Sequence, residues 1–68
     1  MVGLGARVRR EREVRGWRLI DLASRSGLSI GTIRRIEADE DVLLESVKKV
    51  ATAFGTTAAE LLREDDAA

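Results

Sequence analysis

The side chains able to do chemistry in this chain are few in kind. There is no Cys and no His, which removes thiol nucleophiles, imidazole bases, disulfides and the common zinc ligand sets together. Ser24, Ser26 and Ser29 have no His or Lys poised beside them as a base, so nothing activates a hydroxyl nucleophile. Gly3-Leu4-Gly5 follows no strand and is not a dinucleotide loop. Asp39-Glu40-Asp41 lacks the ligand spacing of a calcium loop and reads as a solvated acidic connector. Catalysis, a cofactor and a metal are therefore not expected. What remains in quantity is guanidinium. Nine arginines (7, 9, 10, 12, 15, 18, 25, 34 and 35) lie between Met1 and Ile36 against Glu11, Glu13 and Asp21, a balance of +6, and the remainder carries −6. The net charge of zero thus hides two halves of opposite sign, which points to a basic face for an acidic partner.

Those arginines need elements to hold them. Sixty-eight residues make one domain, 1–68, small enough that folding leans on tight helix packing or on a partner. The longest aliphatic run, Val42 to Leu44, is far short of the roughly 20 residues of a membrane span, and the N-terminus has no signal-peptide core. A soluble, untargeted protein of a reducing cytoplasm is expected. Pro is absent and the apolar residues recur at helical rather than alternating spacing, so strands are not expected. The spacing predicts a first helix over about Leu4 to Arg15, with Leu4 and Val8 inward and Gly16 as its left-handed terminator. A second runs from about Leu19 to Ser26, with Leu19, Leu22 and Ala23 on one face and Gly27 at its end. Ser29 is a good N-cap for a third, about Ile30 to Ala38, whose Ile33 and Ile36 point one way and Arg34 and Arg35 the other. After the acidic connector, a fourth helix places Leu43, Leu44, Val47, Val50, Ala51 and Phe54 at spacings of three and four, and Gly55 closes it. Thr57 to Glu60 matches a capping box ahead of Leu61 and Leu62, so a short fifth helix is expected to about Asp65, with the last three residues frayed.

Two short helices joined through Gly27, with the small Ala23 at their crossing and apolar anchors at Leu22, Leu28, Ile33 and Ile36, form a helix-turn-helix pattern over about 18–38. Ala23 lets the helices approach, Gly27 supplies a positive φ without strain, and the anchors hold the third helix across the second. Around this pattern stand Gly5 and Arg12, Gly16, Leu22-Ala23, Gly27-Leu28-Ser29, Thr32-Ile33-x-Arg35-Ile36-Glu37, Val50-Ala51-x-Ala53-Phe54-Gly55 and Glu60-Leu61-Leu62. In that order and spacing, Leu4 to Leu62 resembles the Cro and lambda-repressor helix-turn-helix family, also called the xenobiotic-response-element family.

The resemblance implies a compact all-α, five-helix lambda-repressor-like domain that binds double-stranded DNA and regulates transcription as a homodimer on a near-palindromic operator, in the cytoplasm at the nucleoid. It implies an ion pair between Arg12 and Glu37 that ties helix one to the end of helix three, and a core place for Trp17. Carried over position by position, the DNA-facing residues are Arg18, Leu19, Ser29, Ile30, Gly31, Thr32, Arg34 and Arg35, with Arg35 the foremost candidate for reading a base. Leu61 and Leu62 stand side by side and cannot both face a small core, so a dimer contact is expected there. The chain departs from the family at Leu19, where a contacting Gln is usual, at Arg18, where a Ser or Thr cap is usual, and at Asp39-Glu40-Asp41, where a basic loop is common. Three carboxylates repel a polyanion, which keeps open a second reading as a module for protein association of the antirepressor or antitoxin kind.

Overall fold

The computed structural model describes residues 3–63, among which there are five helices and no strand. Helix α1 spans Leu4–Val14, α2 Leu19–Ser26, α3 Ile30–Glu37, α4 Leu44–Phe54 and α5 Ala58–Leu62. Several ends fall where a local signal demands it. Gly16, Gly27 and Gly55 take the left-handed backbone that ends α1, α2 and α4. Ser29 and Thr57 cap α3 and α5 by accepting the backbone N–H groups of Thr32 and Glu60, each at 3.1 Å.

One face of every helix meets in a common core. Val8, Leu22, Ile33, Ile36, Val47 and Val50 are fully buried, and Leu4, Ala23, Ala51, Phe54 and Leu61 complete the cluster. Burying a side chain of the larger kind removes enough apolar surface from water to stabilise by about 1.5–3 kcal/mol. Among the described residues no helix is long and apolar enough to cross a membrane.

Helices α1 and α3 meet at a backbone crossing. Gly5 lies against the end of α3 so closely that a Cβ there would run into the Glu37 carbonyl and sit 2.9 Å from the Ile36 carbonyl oxygen. At that crossing α3 closes with two short-range bonds, Asp39 N–H to the Ile36 carbonyl (3.1 Å) and Glu40 N–H to the Arg35 carbonyl (3.0 Å). The turn puts Asp39 at φ 60°, a conformation costing about 1 kcal/mol for a residue with a side chain. Its Oδ1 then accepts the Gly5 N–H at 2.8 Å. Asp39, Glu40 and Asp41 are all exposed, as a solvated acidic connector requires, but Asp39 is in addition tied by this bond to the start of α1.

Three further expectations are corrected. Leu43 is not in α4 but precedes it with extended backbone, and Leu43 and Leu44 are exposed, because the packed face runs through Val47, Val50, Ala51 and Phe54. Helix α5 stops at Leu62, since Arg63 is extended (φ −63°, ψ 130°); Glu64 to Ala68, including the expected end at Asp65 and the frayed tail, lie outside the described residues. The capping box at Thr57 is half formed: Glu60 turns its carboxylate to Arg63 (3.1 and 3.3 Å), a charged partner, instead of back to the Thr57 N–H.

Candidate nucleic-acid interface

The turn between α2 and α3 is built by two backbone donors on one acceptor. The N–H groups of Gly27 (2.9 Å) and Leu28 (3.1 Å) both reach the Ala23 carbonyl, which brings Ser29 round to start α3. Ile33 and Ile36 then anchor α3 in the core, and the helical repeat forces Gly31, Arg34 and Arg35 onto the opposite side. All three are exposed. Arg34 and Arg35 have no ion-pair or hydrogen-bond partner among the described residues. At Gly31 an added Cβ would meet only the Ser29 hydroxyl at 3.8 Å, so the fold itself has no use for a glycine that weakens a helix by about 1 kcal/mol relative to alanine. The two arginines lie in the last turn, where their charge also suits the helix dipole.

The remaining sequence-derived positions divide. The hydroxyls of Ser29 and Thr32 are 3.0 Å apart and bond each other at the mouth of the helix. Leu19 and Ile30 are half-buried and pack against the core, so only an edge of each faces outward. Arg18, at the start of α2, is exposed but tied to Asp21, which accepts both its backbone N–H at 2.7 Å and its Nε at 3.2 Å. The Arg18 side-chain bond, helped by the backbone one, holds the Asp21 carboxyl below the usual carboxylate range, and Asp21 in turn raises Arg18. Sequence reasoning missed Asp21 because an arginine occupies the cap position of an otherwise recognisable x-x-x-Asp helix start.

Behind this face the ion pair is bidentate. Arg12 Nε donates to Glu37 Oε2 at 2.7 Å and Nη2 to Oε1 at 3.1 Å, while Nη1 reaches the Trp17 carbonyl at 2.9 Å. The side chains keep 12% and 5% of their exposure, and the Glu37 bond raises the Arg12 pKa further. Arg9 adds a longer contact to the same carboxylate at 3.4 Å. Trp17 is half-buried and stacks on Phe54 at 5.8 Å, with the Arg25 guanidinium 4.4 Å from its ring.

Leu61, 3% exposed, belongs to the core, so it is not available as a dimer contact; Leu62 is half-buried and packs against the same core, contrary to the expectation that the two cannot both face it, which leaves only an edge of Leu62 at the surface. A cleft of about 220 Å³ between Arg7, Glu11, Arg15, Phe54 and Glu60 shares no residue with the open face of α3. Among the described residues no group of three or more acidic side chains is placed to hold a metal ion.

A family model described as helix-turn-helix matches residues 8–61, which takes in the buried ion pair, the turn at Gly27 and the open face of α3. Comparison with curated proteins and with solved structures returns no match. With the match spanning most of the chain and the five-helix order in agreement with it, this chain belongs to the Cro/C1-type, lambda-repressor-like helix-turn-helix family.

Proposed function

We propose that this chain is a sequence-specific regulator of transcription that lays α3 in the major groove of double-stranded DNA and acts as a homodimer on a near-palindromic operator, in the cytoplasm at the nucleoid. The observation that carries the reading is the open face of α3. Two arginines without a partner among the described residues share that face with a glycine that packing does not require. A guanidinium bonds bidentately to guanine O6 and N7, which suits Arg35, and a missing side chain at Gly31 lets the backbone approach the base edges. Arg34, with Ser29 and Thr32 at the helix start, suits phosphate oxygens. Ile30 offers its exposed edge to a thymine methyl and Leu19 an apolar rim. Arg18 reaches phosphate by exchanging Asp21 for it. A domain of this size discriminates sites by reading two half-sites, and Leu62 is the residue we assign to the two-fold contact.

Binding to mixed genomic fragments, with sequencing of the retained fraction, tests the reading and supplies the selected duplex. Affinity for that duplex is expected to fall steeply as salt rises, because phosphate contacts release counterions. Arg35→Ala is expected to cost about 1–3 kcal/mol of binding and to relax preference at one base position. Gly31→Glu is expected to abolish binding while leaving the melting temperature close to the parent's, since the added Cβ makes only an ordinary contact with the Ser29 hydroxyl at 3.8 Å in the free protein. Leu62→Glu is expected to weaken self-association in sedimentation. A second reading, a helix-turn-helix used for protein association, draws on Glu40 and Asp41 beside the exposed Leu43 and Leu44. It takes over if neither the parent nor a Glu40→Gln/Asp41→Asn variant retains any duplex at roughly 50 mM salt, where electrostatic binding is strongest.

A further inference from the structure

Among the described residues five have left-handed backbone, and four of them are glycine; the fifth is Asp39. The same pair of closing bonds ends α1 at Gly16 (2.9 and 3.0 Å) and α4 at Gly55 (3.0 and 2.9 Å) as ends α3 at Asp39 (3.1 and 3.0 Å). Glycine would close α3 equally well and without strain. A strained residue that the turn does not ask for is a reason to look at what its side chain does. The Asp39 carboxylate reaches 34 residues back in the chain to the Gly5 N–H at 2.8 Å. That donor sits in the first turn of α1, whose own cap, Gly3, has no side chain to satisfy it. The bond is charge-assisted and aligned with the positive end of the helix dipole. It therefore fastens the segment after α3 to the start of α1, directly beside the point where Gly5 packs on Glu37.

We propose that Asp39 is a positioning residue for DNA recognition: by clamping the end of α3 to the N-terminus of α1, it fixes the helix that presents Arg34 and Arg35 and holds Glu40 and Asp41 back from the phosphates. The proposal rests on the DNA reading above. It gives the three consecutive carboxylates opposite effects. Deleting the charge of Glu40 or Asp41 removes repulsion and raises affinity for any duplex. Deleting the Asp39 acceptor also removes a charge, yet lowers affinity for the selected duplex.

The test compares Asp39→Asn, Asp39→Gly and Glu40→Gln/Asp41→Asn with the parent, well below their melting temperatures, on the selected duplex and on a scrambled duplex. Asn keeps an acceptor oxygen and tolerates the left-handed backbone, so D39N is expected to retain specific binding. D39G relieves the strain and stays folded but has no acceptor. Its specific affinity is expected to fall about tenfold, the factor matching one charge-assisted hydrogen bond, while binding to the scrambled duplex is kept or raised. The Gly5 amide is expected to exchange with solvent quickly in D39G and slowly in the parent and D39N. A merely stabilising role would leave the ratio of specific to non-specific binding unchanged in D39G. That result, or D39G binding the selected duplex as well as D39N does, overturns the proposal. If the parent and the Glu40→Gln/Asp41→Asn variant bind no duplex at all, the DNA reading falls and the role of Asp39 with it; if the parent binds and D39G matches it, only the role of Asp39 falls.

Discussion

Helices α1 and α3 both carry arginine densely and use it in opposite ways. In and just after α1, Arg7 donates to the Glu60 carbonyl, Arg9 and Arg12 converge on Glu37, and Arg15 donates to Glu11 and to the Phe54 carbonyl. In α3, Arg34 and Arg35 point outward without an ion-pair or hydrogen-bond partner among the described residues. The linear charge balance treats all of these alike. In the fold, four of the nine arginines before Ile36 join α1 to α3, α4 and α5, whereas Arg10, Arg34 and Arg35 face out with no ion-pair or hydrogen-bond partner among the described residues. A run of one charge therefore marks a binding face only where the folded chain supplies no partner for it.

The comparison breaks most visibly at Arg12. Truncating it strands the Glu37 carboxylate in a nearly closed site, so Arg12→Ala is expected to cost about 3–5 kcal/mol in urea unfolding, enough to unfold a domain of this size. A melting temperature within a couple of degrees of the parent would sink the claim that the α1 arginines are structural. Arg15→Ala is a gentler version. It loses the bond to the Phe54 carbonyl at 3.0 Å and a guanidinium 4.7 Å from the Phe54 ring, for which about 1 kcal/mol is expected. The emission of Trp17, stacked on Phe54, should shift with it, and unchanged stability with unchanged emission counts against the assignment.

Arg34→Ala and Arg35→Ala sharpen the other side of the contrast. Neither removes an ion pair or side-chain hydrogen bond within the described residues, so each is expected to stay within about 0.5 kcal/mol of the parent in stability whatever it does to DNA binding. A loss comparable to that of Arg12→Ala would show α3's arginines to be structural as well. The smallest effect belongs to Arg18 and Asp21. The carboxyl of Asp21 is held below its ordinary range by Arg18, so its contribution is present above the unfolded-state value near about pH 4 and fades as pH falls through the lowered folded value. Melting temperatures of the parent and Asp21→Asn are thus expected to differ slightly at neutral pH and to converge in acid. A gap that widens in acid contradicts the sign.

Much of this was legible from local patterns. Gly16, Gly27 and Gly55 end helices, and Ser29 and Thr57 begin them, because these residues act on backbone groups within a few positions of themselves. Ile33 and Ile36 opposite Arg34 and Arg35 is likewise a matter of helical repeat. The Arg12–Glu37 pair came from the family resemblance, since nothing in a separation of 25 residues announces it.

Neighbours along the chain are enough to give the order of the five helices, the apolar side of α1, α2 and α3, and the turning of two arginines of α3 away from its anchors. Tertiary structure alone decided that Leu61 goes inward while Leu43 and Leu44 stay out, and that Asp39, exposed in its loop, reaches back to cap α1. The physical reason is the same in each case. A side chain's partner is whatever distant group the packed helices bring within bonding distance, and a residue type such as aspartate carries the capacity for that bond without any record of whom it will meet.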